Sequence, residues 1–282
     1  MALIPPFFLD CVVSIGIQTN YFNQNVPVPQ MSWVGTGFLV GRLVEGTNPN
    51  IYNTYLVTNK HVIQSQQLIF IKFNSLLGNV TTDYPYPLYS NNNQNWVGHP
   101  DPNVDVAVMP IDPQFLNGEN ARFSFFELDK HSATSITLRN LGASEGDFLY
   151  VLGFPMGIVT NQNNCVIARS GIIARIRDVL AGASSSFLID ANIYPGNSGG
   201  PVINKPETTS ITGTNALLNA NLIGMVKSYV PYRDVAVSQQ TGNQRVTFEE
   251  NSGLALVETV DSIINTVDLA YYRFTNPPML NG

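Results

Sequence analysis

Charge is scarce in this 282-residue chain. Only 12% of its residues are Asp, Glu, Lys or Arg, and 14 basic residues face 20 acidic ones for a net charge of −6. No basic stripe can be built from that balance, which argues against nucleic acid and membrane as partners. Cysteine is scarcer still. Cys11 and Cys165 are too few for a disulfide framework and have no metal-ligand spacing, so neither metal nor cofactor is expected, and both read as buried small residues in a reducing compartment. No uncharged apolar run is long enough to cross a bilayer as a helix. The apolar opening has no Lys or Arg in front of it, holds Pro5 and Pro6 side by side, and carries Asp10 in its middle. It therefore reads as a docked segment leading into a strand around 11–19, not as a signal peptide. A cytoplasmic protein is the expectation.

What the chain has is 44% hydrophobic residues, with 22 Gly and 18 Pro, a globular composition. Its apolar segments are short, β-branched and bounded by Gly, Pro or Asn, which predicts strands near 35–40, 55–58, 68–73, 105–111, 148–153, 166–176, 187–189, 201–203, 222–229 and 253–257. Many strands without helices between them suggest sandwiches or barrels. One helix is expected at the end, where Val260, Ile263, Ile264, Val267 and Ala270 recur at three- and four-residue steps, and it would cap a barrel. Residues 74–102, 204–221 and 231–251 read as loops around the site.

The run Pro195-Gly196-Asn197-Ser198-Gly199-Gly200-Pro201 sets a serine among glycines. Glycine permits backbone that a side chain would forbid, so successive N–H groups can converge as an oxyanion hole beside an exposed hydroxyl. A phosphate loop would need a lysine and a helix straight afterwards, and neither follows. A serine nucleophile needs a base, and the chain has three histidines. His61 follows the apolar strand Tyr55-Leu56-Val57-Thr58, where a rigid scaffold could hold it at a cleft, while His99 and His131 sit in polar surroundings and read as surface residues. The base needs a carboxylate. Asp105 opens Asp-Val-Ala-Val-Met ahead of a buried-looking strand, whereas Asp101 lies between Pro100 and Pro102 in what reads as an exposed turn.

With His61 in Thr-Asn-Lys-His-Val, Asp105 in Asp-Val-Ala-Val and Ser198 in Gly-Asn-Ser-Gly-Gly-Pro, the chain resembles the trypsin-like (chymotrypsin-fold) serine proteases over roughly residues 10–270. Gly35-Thr36-Gly37-Phe38, Glu145-Gly146-Asp147-Phe148 with Gly153-Phe154-Pro155, residues 168–173, Asp190-Ala191-Asn192, Leu222-Ile223-Gly224 and Ser252-Gly253-Leu254-Ala255 resemble the HtrA (Deg) branch. The resemblance implies an all-β fold of two six-stranded antiparallel Greek-key β-barrels with a C-terminal α-helix. The N-terminal barrel, 1–130, would carry His61 and Asp105, and the C-terminal barrel, 131–282, Ser198 and the helix.

It also implies endopeptidase activity on a protein or peptide substrate, with Gly196 and Ser198 N–H groups as the oxyanion hole. The primary pocket would lie between Asn192, Ile193, Tyr194 and Pro195 on one side and Val226, Lys227, Ser228 and Tyr229 on the other, with Gly253 in its far wall. An uncharged Asn192 at the floor weakens any case for cleavage after Lys or Arg. Lys227 is expected to point into solvent. Asn197 stands where activated secreted relatives carry an acid, so zymogen cleavage is not the expected control, and a protease domain without the PDZ domain often found in that branch is the expectation. If activity is regulated, a regulatory protein partner or a loop rearrangement would have to do it. The readings set beside this one are a catalytically silent trypsin-like domain that binds a protein, and an esterase or acyltransferase using the same serine.

Overall fold

The structure is a computed structural model that describes residues 3–23, 26–78, 80–91, 93–160, 162–207, 212 and 216–275. In the first half, the strands Val12–Asn23 and Val26–Val44 form a long antiparallel pair. Ile51–Thr58 continues the sheet on one side and is followed by Ala107–Pro110, while Leu68–Ser75 flanks the pair on the other. The last five residues of Ile51–Thr58 are all buried. Side chains alternate across a strand, so Leu56 enters one apolar cluster with Ile15, Leu39 and Ile71, while Tyr55 and Val57 enter another with Phe38 and Val108.

The second half closes into a barrel in the order Phe148–Gly153, Ile167–Arg175, Ser186–Asp190, Gln244–Thr259, Leu222–Val237 and Pro201–Asn204. Closure leaves no unpaired strand edge. Inward side chains, among them Leu149, Val151, Ile173, Ile189, Val202, Val226 and Val257, fill its interior.

The two halves share a third cluster. Phe38, Val40, Val106 and Val108 from the first half meet Leu152, Phe154, Ile203 and Met225 from the second, and the helix Val260–Thr275 sets Val260, Ile263, Val267 and Ala270 into the same core. The helix therefore seals the seam between the halves and does not merely cap one barrel. Among the described residues no helix is long and apolar enough to cross a membrane.

Several expectations need correction. The mostly-β fold with a closed barrel and a C-terminal helix is as expected, but among the described residues the first half counts nine strands in its sheet, not six, and includes one parallel pairing, of Phe126–Glu127 with Val26–Val44. Residues 74–102 are not all loop: Thr81–Pro87 pairs along Leu68–Ser75, its alternating Tyr84 and Tyr86 masked in the sequence by intervening prolines. Residues 231–251 lie largely in a paired ribbon where the two long barrel strands run on past the barrel, exposed along nearly all of it and so without an apolar pattern to report it. Within 204–221, residues 208–211 and 213–215 lie outside the described residues. Cys165 is exposed, Cys11 is buried, and both are free.

Candidate active site

The strand Ile51–Thr58 runs into a helical turn, Lys60–Ile63, whose Val62 and Ile63 are buried in the first-half core. Those two anchors leave His61 outside, with 46% of its side chain exposed. Thr58 lies opposite Ala107, so sheet register alone carries Asp105 beside the turn. The Asn59 side-chain amide donates to the Asp105 carbonyl at 2.7 Å, the His61 N–H donates to Asp105 Oδ1 at 3.2 Å, and His61 Nδ1 lies 2.5 Å from Asp105 Oδ2. A carboxylate held on Nδ1 places the proton there and leaves Nε2 as the free base.

Burial pushes the Asp105 carboxyl upward, but its hydrogen bond and charge interaction with His61, the His61 backbone N–H and the Lys227 charge outweigh it and hold the group below its ordinary 3.8. A lowered carboxyl contributes stability above its unfolded value and loses it as pH falls through the folded one. In urea titrations, the stability gap between wild type and Asp105→Asn is therefore expected to stay level from neutral pH down to about pH 5 and to shrink below pH 3.8. A gap that instead shrinks between pH 8 and 6 would contradict this ionisation state.

Beneath the pair lies a second acid. Glu258, fully buried, accepts from the Asp105 N–H at 2.8 Å and from Lys227 Nζ at 3.0 Å through Oε1, while Oε2 has no partner among the described residues. Lys227 Nζ also donates to the Asn103 carbonyl at 2.5 Å. Lys227 thus turns under the aspartate instead of into solvent, which corrects the expectation.

The serine loop is pinned from behind. Gly196 has φ +96° and Gly199 φ +85°, and a Cβ on either would stand 2.4 Å from the Phe154 carbonyl or 2.0 Å from that of Thr36. The Thr36 hydroxyl donates to the Gly196 carbonyl at 2.6 Å and accepts from the Phe154 N–H, while the Thr36 N–H donates to the Ser198 carbonyl. The Pro195 carbonyl accepts from Met156 N–H and the Asn197 carbonyl from Gly200 N–H. In a trans peptide the N–H points opposite its carbonyl, so these two contacts orient the Gly196 and Ser198 N–H groups, neither of which has a backbone acceptor among the described residues. Asn197 is 1% exposed, and its Nδ2 has no partner among the described residues.

Ser198 Oγ donates to the Lys227 carbonyl at 3.3 Å, and among the described residues no hydrogen bond joins it to His61. The loop and the histidine turn meet across Gly35, where a Cβ would stand 2.7 Å from Val62 and 3.5 Å from the Ser198 carbonyl. One rotamer step about the serine Cα–Cβ bond is the motion available to redirect the hydroxyl.

Around this centre, Asn192, Tyr194, Pro195 and Ser228 are exposed. Gly253 is half-buried with φ +83°, and the half-buried Tyr229 donates its hydroxyl to Glu249. Ile193 and Val226 pack into the barrel core, so neither side chain can line a cleft. Asp101 is the turn residue expected, accepting from Asn103 N–H. His131 is not simply at the surface, since its Nδ1 accepts from Glu127 N–H and its ring packs on Phe7 and Phe8. Sequence reasoning missed the roles of Thr36, Asn59 and Glu258. The last had a signal, a lone acid within Leu254-Ala255-Leu256-Val257-Glu258-Thr259-Val260.

Among solved structures, the chain is similar to the MamO protease domain from Magnetospirillum magneticum in its apo form, at 13% identity and TM-score 0.46, over 92% of this chain and 97% of that one. It is also similar to the Rv3671c protease in an inactive form, at 16% identity and TM-score 0.42, over 93% of this chain and 90% of that one. No curated protein matches by sequence. The family profile described as the trypsin-like peptidase domain matches residues 35–209, which spans the histidine turn, Asp105 and the serine loop, and the chain belongs to that family.

Proposed function

We propose that the protein is a serine endopeptidase of the HtrA (Deg) type that hydrolyses peptide bonds in the cytoplasm through His61, Asp105 and Ser198. The observation that carries this reading is the pair of Gly196 and Ser198 N–H groups, without backbone acceptors among the described residues, beside the Ser198 hydroxyl on the loop that abuts the His61–Asp105 pair. His61 Nε2 takes the Ser198 proton as Oγ bonds to the peptide carbonyl carbon, and the two amides hold the oxyanion. The C–N bond then breaks as His61 passes that proton to the leaving amine. Water, deprotonated by the same imidazole, displaces Ser198 and releases the acid.

A fluorophosphonate probe tests this directly, because it reacts only with an activated serine. Wild-type protein is expected to label and Ser198→Ala to remain unlabelled, with matching cleavage of a peptide library by wild type alone. Equal labelling of both, or of neither while folded, overturns the reading.

One observation favours a second reading, a silent domain that binds a protein partner: the serine hydroxyl is engaged by the Lys227 carbonyl and not by His61. Under it, wild type and Ser198→Ala capture the same protein and neither labels nor cleaves. The reading also has a regulatory form, in which a bound partner drives the hydroxyl toward His61.

A further inference from the structure

A cation lies close to the serine loop. Arg169 lies on Ile167–Arg175 directly opposite Val151, and Gly171 opposite Leu149. Opposed residues of an antiparallel pair share a face, and Val151 and Leu149 are fully buried in the barrel interior. Arg169 is therefore an inward-facing charge at one end of an apolar barrel.

Its guanidinium lies 5.1 Å from the ring centre of Tyr194, the residue whose carbonyl accepts from Asn197 N–H in the turn that carries Ser198. Arg169 Nε is buried without an acceptor, and no ion pair among the described residues includes this side chain. The nearest acid along the neighbouring strand, Asp190, pairs with Ile172 and so belongs to the outer face, where it borders a depression with Tyr150, Ser170 and Lys205. Asn192 is uncharged.

A half-buried guanidinium with an unpartnered donor needs an anion, and among the described residues none is paired with it. We infer that Arg169 is the specificity-determining residue of the proposed peptidase and that it selects an acidic side chain, Asp or Glu, immediately before the scissile bond. Arginine stacked on an aromatic ring keeps its edge donors available, and a carboxylate matches two of them at once. Tyr194, 38% exposed, links the guanidinium to the serine loop, with its ring against Arg169 and its carbonyl on the Asn197 N–H. A neutral amide in the same place cannot supply the charge and leaves the guanidinium unpaired. This inference rests on Ser198 being the nucleophile, but its test separates the two.

Peptides identical except for Glu, Gln, Ala or Lys at the residue before the cleaved bond are compared with wild type and Arg169→Gln. Wild type is expected to prefer Glu over Gln by about 100-fold in kcat/KM, and Arg169→Gln to compress that ratio to within about fivefold. Fluorophosphonate labelling of the variant shows that its barrel has folded. A binding assay that needs no turnover uses Ser198→Ala and a product-like peptide ending in Glu or in Gln. The Glu peptide is expected to bind at least tenfold more tightly, and the added Arg169→Gln change to erase the difference. Equal binding of the two peptides, or a Glu preference that survives loss of Arg169, overturns the inference. Labelling without acidic preference overturns this inference alone, whereas absent labelling of the folded protein overturns the peptidase reading and with it any specificity before a scissile bond, even where the Glu peptide binds selectively.

Discussion

His61→Ala is expected to lower kcat for a cleavable peptide by about 10⁴- to 10⁶-fold, and Asp105→Asn by about 10⁴-fold. The reason is geometric. Asp105 reaches both the backbone N–H and the Nδ1 of His61, so asparagine, with one oxygen and one amide, can satisfy only part of that fork and favours the wrong ring tautomer. Groups that act as one unit are not additive, and His61→Ala combined with Ser198→Ala should be no slower than either alone. What persists comes from substrate binding and the Gly196 and Ser198 amides, about 10³-fold over water. Steady-state kinetics on one peptide decide the matter, and a His61→Ala enzyme within tenfold of wild type would remove the histidine from the mechanism.

Lys227→Met should cost about 3 kcal/mol of stability, because it leaves the fully buried Glu258 carboxylate with only the Asp105 N–H as donor. The low end of the range for a broken buried pair applies, since a quarter of the Lys227 side chain meets solvent. Lys227→Met with Glu258→Gln should recover most of the loss, the amide tolerating burial where a bare charge does not. Urea unfolding of the two singles and the double measures this. A double no more stable than Lys227→Met would show that the ammonium acts through packing instead of charge. pH supplies a second readout: without Lys227 the Asp105 carboxyl loses one of the charges that hold it down, so the stability gap that Asp105→Asn opens above pH 3.8 should be smaller in the Lys227→Met background.

Much of this was legible in the chain because the relevant physics is local. Strand-forming runs carry their own period, and Phe148–Gly153 has in the structure the limits its sequence suggests. The glycines at 196 and 199 announce left-handed backbone, and the structure places both there. His61 and Asp105 could be paired on paper because each flanks an apolar strand, and adjacency of those strands does the rest.

Other features were hidden for reasons equally physical. The ribbon beyond the barrel is held by main-chain pairing with both faces in water, so no side-chain pattern marks it. Thr36 serves the serine loop through contacts 118 and 160 residues away in sequence, a distance over which a threonine in a strand looks like any other. Lys227 was expected in solvent because its partner, Glu258, lies on another strand.

The sequence by itself determined the local conformations and the chemical types at hand: a serine among glycines, one histidine and one aspartate each beside a strand, a helix with one apolar face. Those depend on neighbours along the chain. Only the tertiary structure decided which charges meet, that Glu258 lies beneath Asp105, that Arg169 turns inward beside Tyr194, and that the Ser198 hydroxyl rests on the Lys227 carbonyl. Electrostatic pairing and hydrogen bonding act through space, and the barrel and sheet set those distances.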